Sequence, residues 1–138
     1  MPTALITGAT EGIGRATAFA LGRAGYRVGV CARTPSKLRA LLDELAAAGI
    51  TAAGYPADVG LEADVATLIS HLTAALGPID VLVNNAGIAV FKPFAELTLD
   101  EWDATMATNL RSLFLVTQAV LPGMRERRRG SIVNISSL

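Results

Sequence analysis

Ala4-Leu5-Ile6-Thr7-Gly8-Ala9-Thr10-Glu11-Gly12-Ile13-Gly14 sets a glycine-spaced turn between a short apolar run and the start of a helical pattern. Glycine has no Cβ, so Gly8, Gly12 and Gly14 permit positive φ in the turn and let the main chain approach a pyrophosphate, while unpaired N–H groups at a helix N-terminus point toward it. The helix macrodipole adds roughly half a positive charge at that end, worth about 0.3–1 kcal/mol to a bound anion. An ordinary glycine-rich turn is the alternative. It is disfavoured by the strand before the loop, the amphipathic helix after it and a second glycine-containing motif downstream.

Outward from this loop, strand and helix periods alternate as βαβαβαβαβ. Apolar runs at Ala4 to Ile6, Val28 to Cys31, Thr51 to Tyr55, Ile79 to Val83 and Ser131 to Ile135 are short and nearly continuous, as parallel strands covered on both faces are. Ile13, Ala16, Thr17, Ala20, Leu21 and Ala24 form one helical face ahead of Gly25, and Leu38, Leu41, Leu42 and Leu45 form another ahead of Gly49. Val65, Leu68, Ile69, Leu72 and Leu76 repeat the pattern before Gly77-Pro78. Thr98 with Glu101 is a capping box opening a long helical segment toward Arg128, in which Pro122 predicts a kink. This order predicts an α/β doubly wound parallel sheet of Rossmann type in a single domain over residues 1–138.

Composition narrows the function classes. The 138 residues carry 12 basic and 12 acidic side chains, so no global field favours nucleic acid or anionic lipid. Arg125, Arg127, Arg128 and Arg129 cluster locally, but such a run at a helix C-terminus complements the dipole. The lone Cys31 sits in an apolar strand-like run and reads as a buried thiol in a reducing compartment. His71 has no Cys or His partner at ligand spacing, so no metal site is expected. Neither a signal segment nor a bilayer-length apolar run is present, and the expectation is a cytoplasmic protein away from the membrane.

The glycine loop, Asp58-Val59, Asn84-Asn85-Ala86-Gly87, Asn109 and Ile132-Val133-Asn134-Ile135-Ser136-Ser137 together resemble the short-chain dehydrogenase/reductases in order and spacing. The resemblance covers the whole chain and implies strand order 3-2-1-4-5, with a dinucleotide held above strands 1 and 4. It assigns phosphate binding to Gly8, Thr10, Glu11, Gly12, Ile13 and Gly14. Asp58 would accept from the adenine amino group, the Val59 N–H would meet a ring nitrogen, and Ala86 and Gly87 would lie beneath the adenosine ribose. Asn85 would tie neighbouring strands together. Arg33, following Ala32 where NAD users place an acid, resembles the NADP-selective pattern, so NADP(H) is expected over NAD(H). Glu11 departs from the second basic residue that many NADP users carry in this loop.

For chemistry, the resemblance gives Ser137 the role of polarising a substrate carbonyl, and Asn109 that of supporting a kinked helix and a proton-relaying water. The family's general acid is a Tyr followed four residues later by a Lys, beyond the Ser. Within these 138 residues no Tyr stands four positions before a Lys: Tyr26 and Tyr55 precede Val30 and Val59 at that spacing. The chain therefore reads as the cofactor half of a longer reductase, truncated after the fifth strand and nearly inactive alone. Two function classes remain open: an NADP(H)-dependent oxidoreductase acting on a small carbonyl or alcohol, and a catalytically silent nucleotide-binding or interaction module. A mean hydropathy of +0.45 accords with apolar faces covered by further chain or a partner subunit, and an apolar surplus at Leu110, Leu113, Phe114, Val116 and Leu121 predicts association through the long helical segment, for which the family resemblance implies a homodimer or homotetramer.

Overall fold

The computed structural model describes residues 1–137. Strands β1 (Thr3–Thr7), β2 (Arg27–Ala32), β3 (Ala52–Pro56), β4 (Val81–Asn84) and β5 (Ser131–Asn134) form one parallel sheet in the order β3-β2-β1-β4-β5. Helices α1 (Gly12–Arg23), α2 (Pro35–Ala47), α3 (Glu62–Leu76), α4 (Leu99–Met106) and α5 (Ser112–Glu126) connect them. Both the parallel sheet and its expected order are present.

Alternation along the central strand builds the two halves of the core. Ala4 and Ile6 of β1 pack on one face with Val28, Val30, Leu38, Leu41 and Leu45, whereas Leu5 packs on the other with Leu68, Leu72, Leu82 and Val116. Every residue of β1 is buried, which is why its sequence reads as a continuous apolar run. The α2 and α3 faces are those the periodicity predicts, with Leu38, Leu41 and Leu45 buried in one and Val65, Leu68, Leu72 and Leu76 in the other.

Helix α1 departs from its predicted face. Ile13 is 61% exposed, Ala16 and Ala20 are also exposed, and the buried positions are Gly14 and Ala18. Small residues face the sheet because the backbones approach too closely for larger ones. A Cβ on Gly14 would collide with the Gly8 carbonyl oxygen and Asn85 Nδ2, and one on Gly22 would lie 2.5 Å from Ile50 Cγ2.

The segment from Thr98 onward is also corrected. Its capping box forms, with Thr98 Oγ1 accepting from Glu101 N at 3.1 Å and Glu101 Oε2 accepting from Thr98 N at 3.0 Å. The irregularity falls not at Pro122 but at Ala107–Arg111, a π-helical stretch between α4 and α5. Helix α5 runs through Pro122 to Glu126. Pro122 is exposed, so water can satisfy the carbonyl that loses its N–H partner.

Asp80 fixes the other end of the sheet. Its carboxylate accepts from Thr3 N at 2.9 Å and pairs with Arg129 at 3.3 Å and Arg127 at 3.6 Å, while its carbonyl accepts from Ser131 N at 2.9 Å. Two of the arginines read as a solvated helix end thus anchor the return of the chain into β5.

The corrected α1 face has a direct check. Gly14→Ala is expected to destabilise the chain by about 1–3 kcal/mol through overpacking, despite alanine's better helix propensity, whereas Ile13→Ser should stay within about 0.5 kcal/mol. Urea midpoints of both variants measure the difference, and a larger loss for Ile13→Ser would restore the predicted face.

Candidate cofactor-binding site

A cleft of about 280 Å³ opens where the loops after β1, β2, β3 and β4 converge. Gly8, Thr10 and Glu11 line it from the first of these, Arg33 from the second, Asp58 and Val59 from the third, and Asn85, Ala86 and Gly87 from the fourth. These are the carboxyl ends of the strands, and β1 lies between β2 and β4, so the chain leaves neighbouring strands toward opposite faces here.

The geometry begins at Thr7. Its side chain is buried, and its Oγ1 accepts from Asn85 N and from Ala86 N, each at 3.0 Å. Asn85 Nδ2 reciprocates, donating to Thr7 O at 3.2 Å and Gly8 O at 3.0 Å. The two loops are thereby held so close that a Cβ on Gly8 would stand 2.8 Å from Ala86 Cα. Gly12 is different: at φ +57 it faces open space, with nothing within 4 Å of where a Cβ would be. Its backbone is therefore approachable, as a phosphate-binding turn requires.

Of the expected loop residues, Gly12, Ile13 and Gly14 fall outside the cleft lining. Gly14 acts through packing, and Ile13 turns its side chain outward. Glu11 is the N-cap of α1 but makes no side-chain cap bond. Asp58 is built into a turn, with its Oδ1 accepting from Gly60 N at 2.9 Å and its own N–H donating to Asp64 Oδ2 at 2.8 Å.

Asn109 lies in the π-helical stretch and does not line the cleft. Its Oδ1 accepts from Ile88 N at 2.7 Å and its Nδ2 donates to Ile88 O at 2.8 Å, so it clamps the backbone just past Gly87. Ser136 and Ser137 follow β5, where Ile135 N donates to Asn84 O at 3.0 Å. That bond starts the Ser136-Ser137 segment alongside the Asn85-to-Gly87 loop.

Several lining residues escaped the sequence reading as site residues. Thr108 and Ile88 reach the cleft through the π-helical stretch and the loop that Asn109 holds. Lys37, in the first turn of α2, also lines it. Cys31 lines it too, and burial pushes its thiol up to about 12, so it stays protonated at neutral pH. Among the described residues, no group of three His, Cys, Asp or Glu could hold a metal ion, and no helix is long and apolar enough to cross a membrane.

The family model for short chain dehydrogenase matches residues 2–138. The chain belongs to the short-chain dehydrogenase family. Similar proteins include the 5-keto-D-gluconate 5-reductase of Escherichia coli K12, 38% identical over 134 residues covering 97% of this chain and 53% of the relative. Among solved structures, an actinorhodin polyketide ketoreductase variant with NADPH superposes with a TM-score of 0.95 at 46% identity, covering 99% of this chain and 53% of that one. A metagenomic short-chain oxidoreductase in complex with NADP gives a TM-score of 0.92 at 43% identity, covering 99% and 62%. The chain spans about half the length of the curated relatives it matches.

Thr7→Val keeps size and β-propensity but leaves the Asn85 and Ala86 N–H groups without their acceptor. It is expected to cost about 2 kcal/mol in stability. Urea unfolding measures this, and a variant as stable as the wild type would remove the clamp from the account.

Proposed function

We propose that this chain binds NADP(H) in the cleft and forms the cofactor-holding part of a reductase moving hydride between nicotinamide C4 and a carbonyl or alcohol carbon. The observation that carries the reading is the convergence of the Gly8–Ala86 approach, Asp58, Val59 and Arg33 on one cleft, with the open Gly12 backbone at the end of the loop that contributes Gly8, Thr10 and Glu11. These features fit a dinucleotide: a bare backbone for the pyrophosphate, a loop held tight for the ribose, and a cation at the end of β2. The nicotinamide supplies the hydride when bound.

Each residue then has a role in this reading. The loop amides around Gly12 receive phosphate oxygens, with Thr10 and Glu11 bordering them. Asp58 and the Val59 N–H recognise adenine, and Ala86 and Gly87 support the ribose. Arg33 makes charge-assisted bonds to a 2′-phosphate, worth about 1.5–3 kcal/mol, or roughly ten- to hundredfold over NAD(H). Asn85 and Asn109 hold the loops, and Ser137 donates to the substrate carbonyl. The relatives named as reductases of keto compounds support a small carbonyl or alcohol substrate. The buried Cys31 thiol accords with a reducing cytoplasm.

Titration with both dinucleotides tests the cofactor. NADP(H) should bind at least tenfold tighter, and Arg33→Ala should remove most of the difference; equal affinities in the wild type would overturn the assignment.

The 138-residue chain by itself should turn over little. It contains no Tyr four positions before a Lys, and a missing positioned general acid costs about 10² to 10⁴ in rate. A neutral serine hydroxyl polarises a carbonyl without supplying the proton. NADPH oxidation with a panel of ketones checks this, and turnover near about one per second would contradict it.

Association with a second copy completes the proposal. Leu110, Phe114 and Leu121 are 56%, 61% and 39% exposed and repeat at helical spacing, while Val116 is fully buried against the sheet. That stripe is an apolar face suited to an isologous dimer or tetramer contact. Sedimentation should show self-association that Phe114→Glu weakens; a well-folded wild-type monomer at high concentration would exclude it.

A further inference from the structure

We infer that Ser112 is a positioning residue for the cleft: its buried hydroxyl holds the π-helical register that puts Thr108 in the lining and Asn109 on Ile88. This inference rests on the dinucleotide reading of the cleft and adds a residue that lies outside the lining and acts through the stretch beside it.

Ser112 makes two bonds to the preceding turn. In an α-helix its N–H would reach Thr108 O, four residues back; here it donates to Ala107 O, five residues back. The Ser112 hydroxyl takes the place of that N–H and donates to Thr108 O at 2.5 Å. Ser112 is only 3% exposed, so bulk water does not compete for the carbonyl. Side chains that bond the carbonyl four residues back also occur in regular helix, at Thr17 to Ile13 and Thr67 to Ala63. Those bonds lie at the surface, and neither sits at a change of register.

The register matters because the π-helical stretch meets two of the loops that line the cleft. Toward the loop after β3, the Ala107 carbonyl oxygen would stand 3.1 Å from a Cβ on Gly60, in the turn that Asp58 closes. Toward the loop after β4, Asn109 bonds both the N–H and the C=O of Ile88, and its Oδ1 would stand 3.4 Å from a Cβ on Gly87. Thr108 lines the cleft between them. Without the Ser112 hydroxyl, the Thr108 carbonyl loses that donor and draws the backbone N–H of residue 112 back to it, which removes the extra residue from the turn. The stretch then rotates by about 100° against α5, the angle of one residue in an α-helix, and Asn109 leaves Ile88.

The test compares Ser112→Ala with Ser112→Thr, which keeps a hydroxyl able to bond the carbonyl four residues back, and with Val120→Ala, a core truncation in the same helix. Two quantities are measured at a temperature where every variant is folded: NADPH affinity by fluorescence titration, and amide hydrogen exchange at Ile88 in the ligand-free chain. Ser112→Ala should weaken NADPH binding about threefold to tenfold and quicken exchange at Ile88, while Ser112→Thr stays near the wild type in both. Val120→Ala should lose stability and move neither. The contrast of Ser112→Ala with Val120→Ala decides the matter even where the added methyl of Ser112→Thr disturbs the core. If the wild type binds no NADPH, the dinucleotide reading falls and this inference falls with it. If the wild type binds but Ser112→Ala matches it in affinity or in Ile88 exchange, the inference alone is overturned. Equal changes in Ser112→Ala and Val120→Ala would show a merely structural role and also overturn it.

Discussion

The hydroxyl of Thr7 is the point on which the cleft depends. One buried oxygen accepts two consecutive backbone N–H groups from the loop after β4, and Asn85 returns two bonds to the backbone after β1. Without that exchange, two polar loops would meet at the carboxyl end of the sheet with unsatisfied donors, an arrangement costing about 1–3 kcal/mol per buried group. With it, Gly8 and Ala86 are held in near contact, and only a residue without Cβ fits at position 8. The glycine is therefore required as much by the neighbouring loop as by any ligand. Gly14 extends the same constraint into α1, since its missing side chain leaves room for the Gly8 carbonyl and Asn85.

This dependence explains which parts could be read from the chain. The strands were legible as short, nearly continuous apolar runs and the α2 and α3 faces as large apolar residues at period 3.6, patterns that leave few alternatives. The α1 face was misread in part by the same rule: Leu21 does pack against the core, but Ile13 outweighs Gly14 and Ala18 in a hydrophobic pattern although the buried positions are that smaller pair. Parallel order 3-2-1-4-5 came from the family resemblance, because right-handed crossovers alone permit other orders. Thr7 and Lys37 carried no signal in isolation. A threonine ending a strand and a lysine in a helix's first turn are ordinary until the topology brings distant loops to them.

The π-helical stretch belongs to the same class of hidden feature. The residue types in Ala107-Thr108-Asn109-Leu110-Arg111 carry no local signal of an i→i+5 turn, and only the family resemblance, which sets a kinked helix at Asn109, anticipates it; Pro122, which does announce a disruption, lies on a solvated surface that absorbs it. The stretch places Thr108 in the cleft lining and lets the Asn109 amide bond both the N–H and the C=O of Ile88. Farther along, Lys92 joins Glu101 at 2.7 Å, and the Lys92 ammonium, followed by the Thr98 N–H, holds the Glu101 carboxyl below its usual range. The loop after β4 is thus fastened near the cleft and again at the start of α4.

Among the described residues, strand β5 pairs with β4 on one side only, and every one of its residues is exposed, including Ile132 and Val133. Its outer row of N–H and C=O groups is a template for any extended apolar chain that meets it. Neither proline nor inward charge interrupts Ser131-Ile132-Val133-Asn134, and the nearest guards are Arg128 and Arg129 before Gly130. In a concentrated solution of the isolated 138-residue chain, this edge would govern colloidal behaviour. Strand addition there would nucleate aggregates of otherwise folded molecules, and a lysine at position 133 would act as a gatekeeper without touching the cleft.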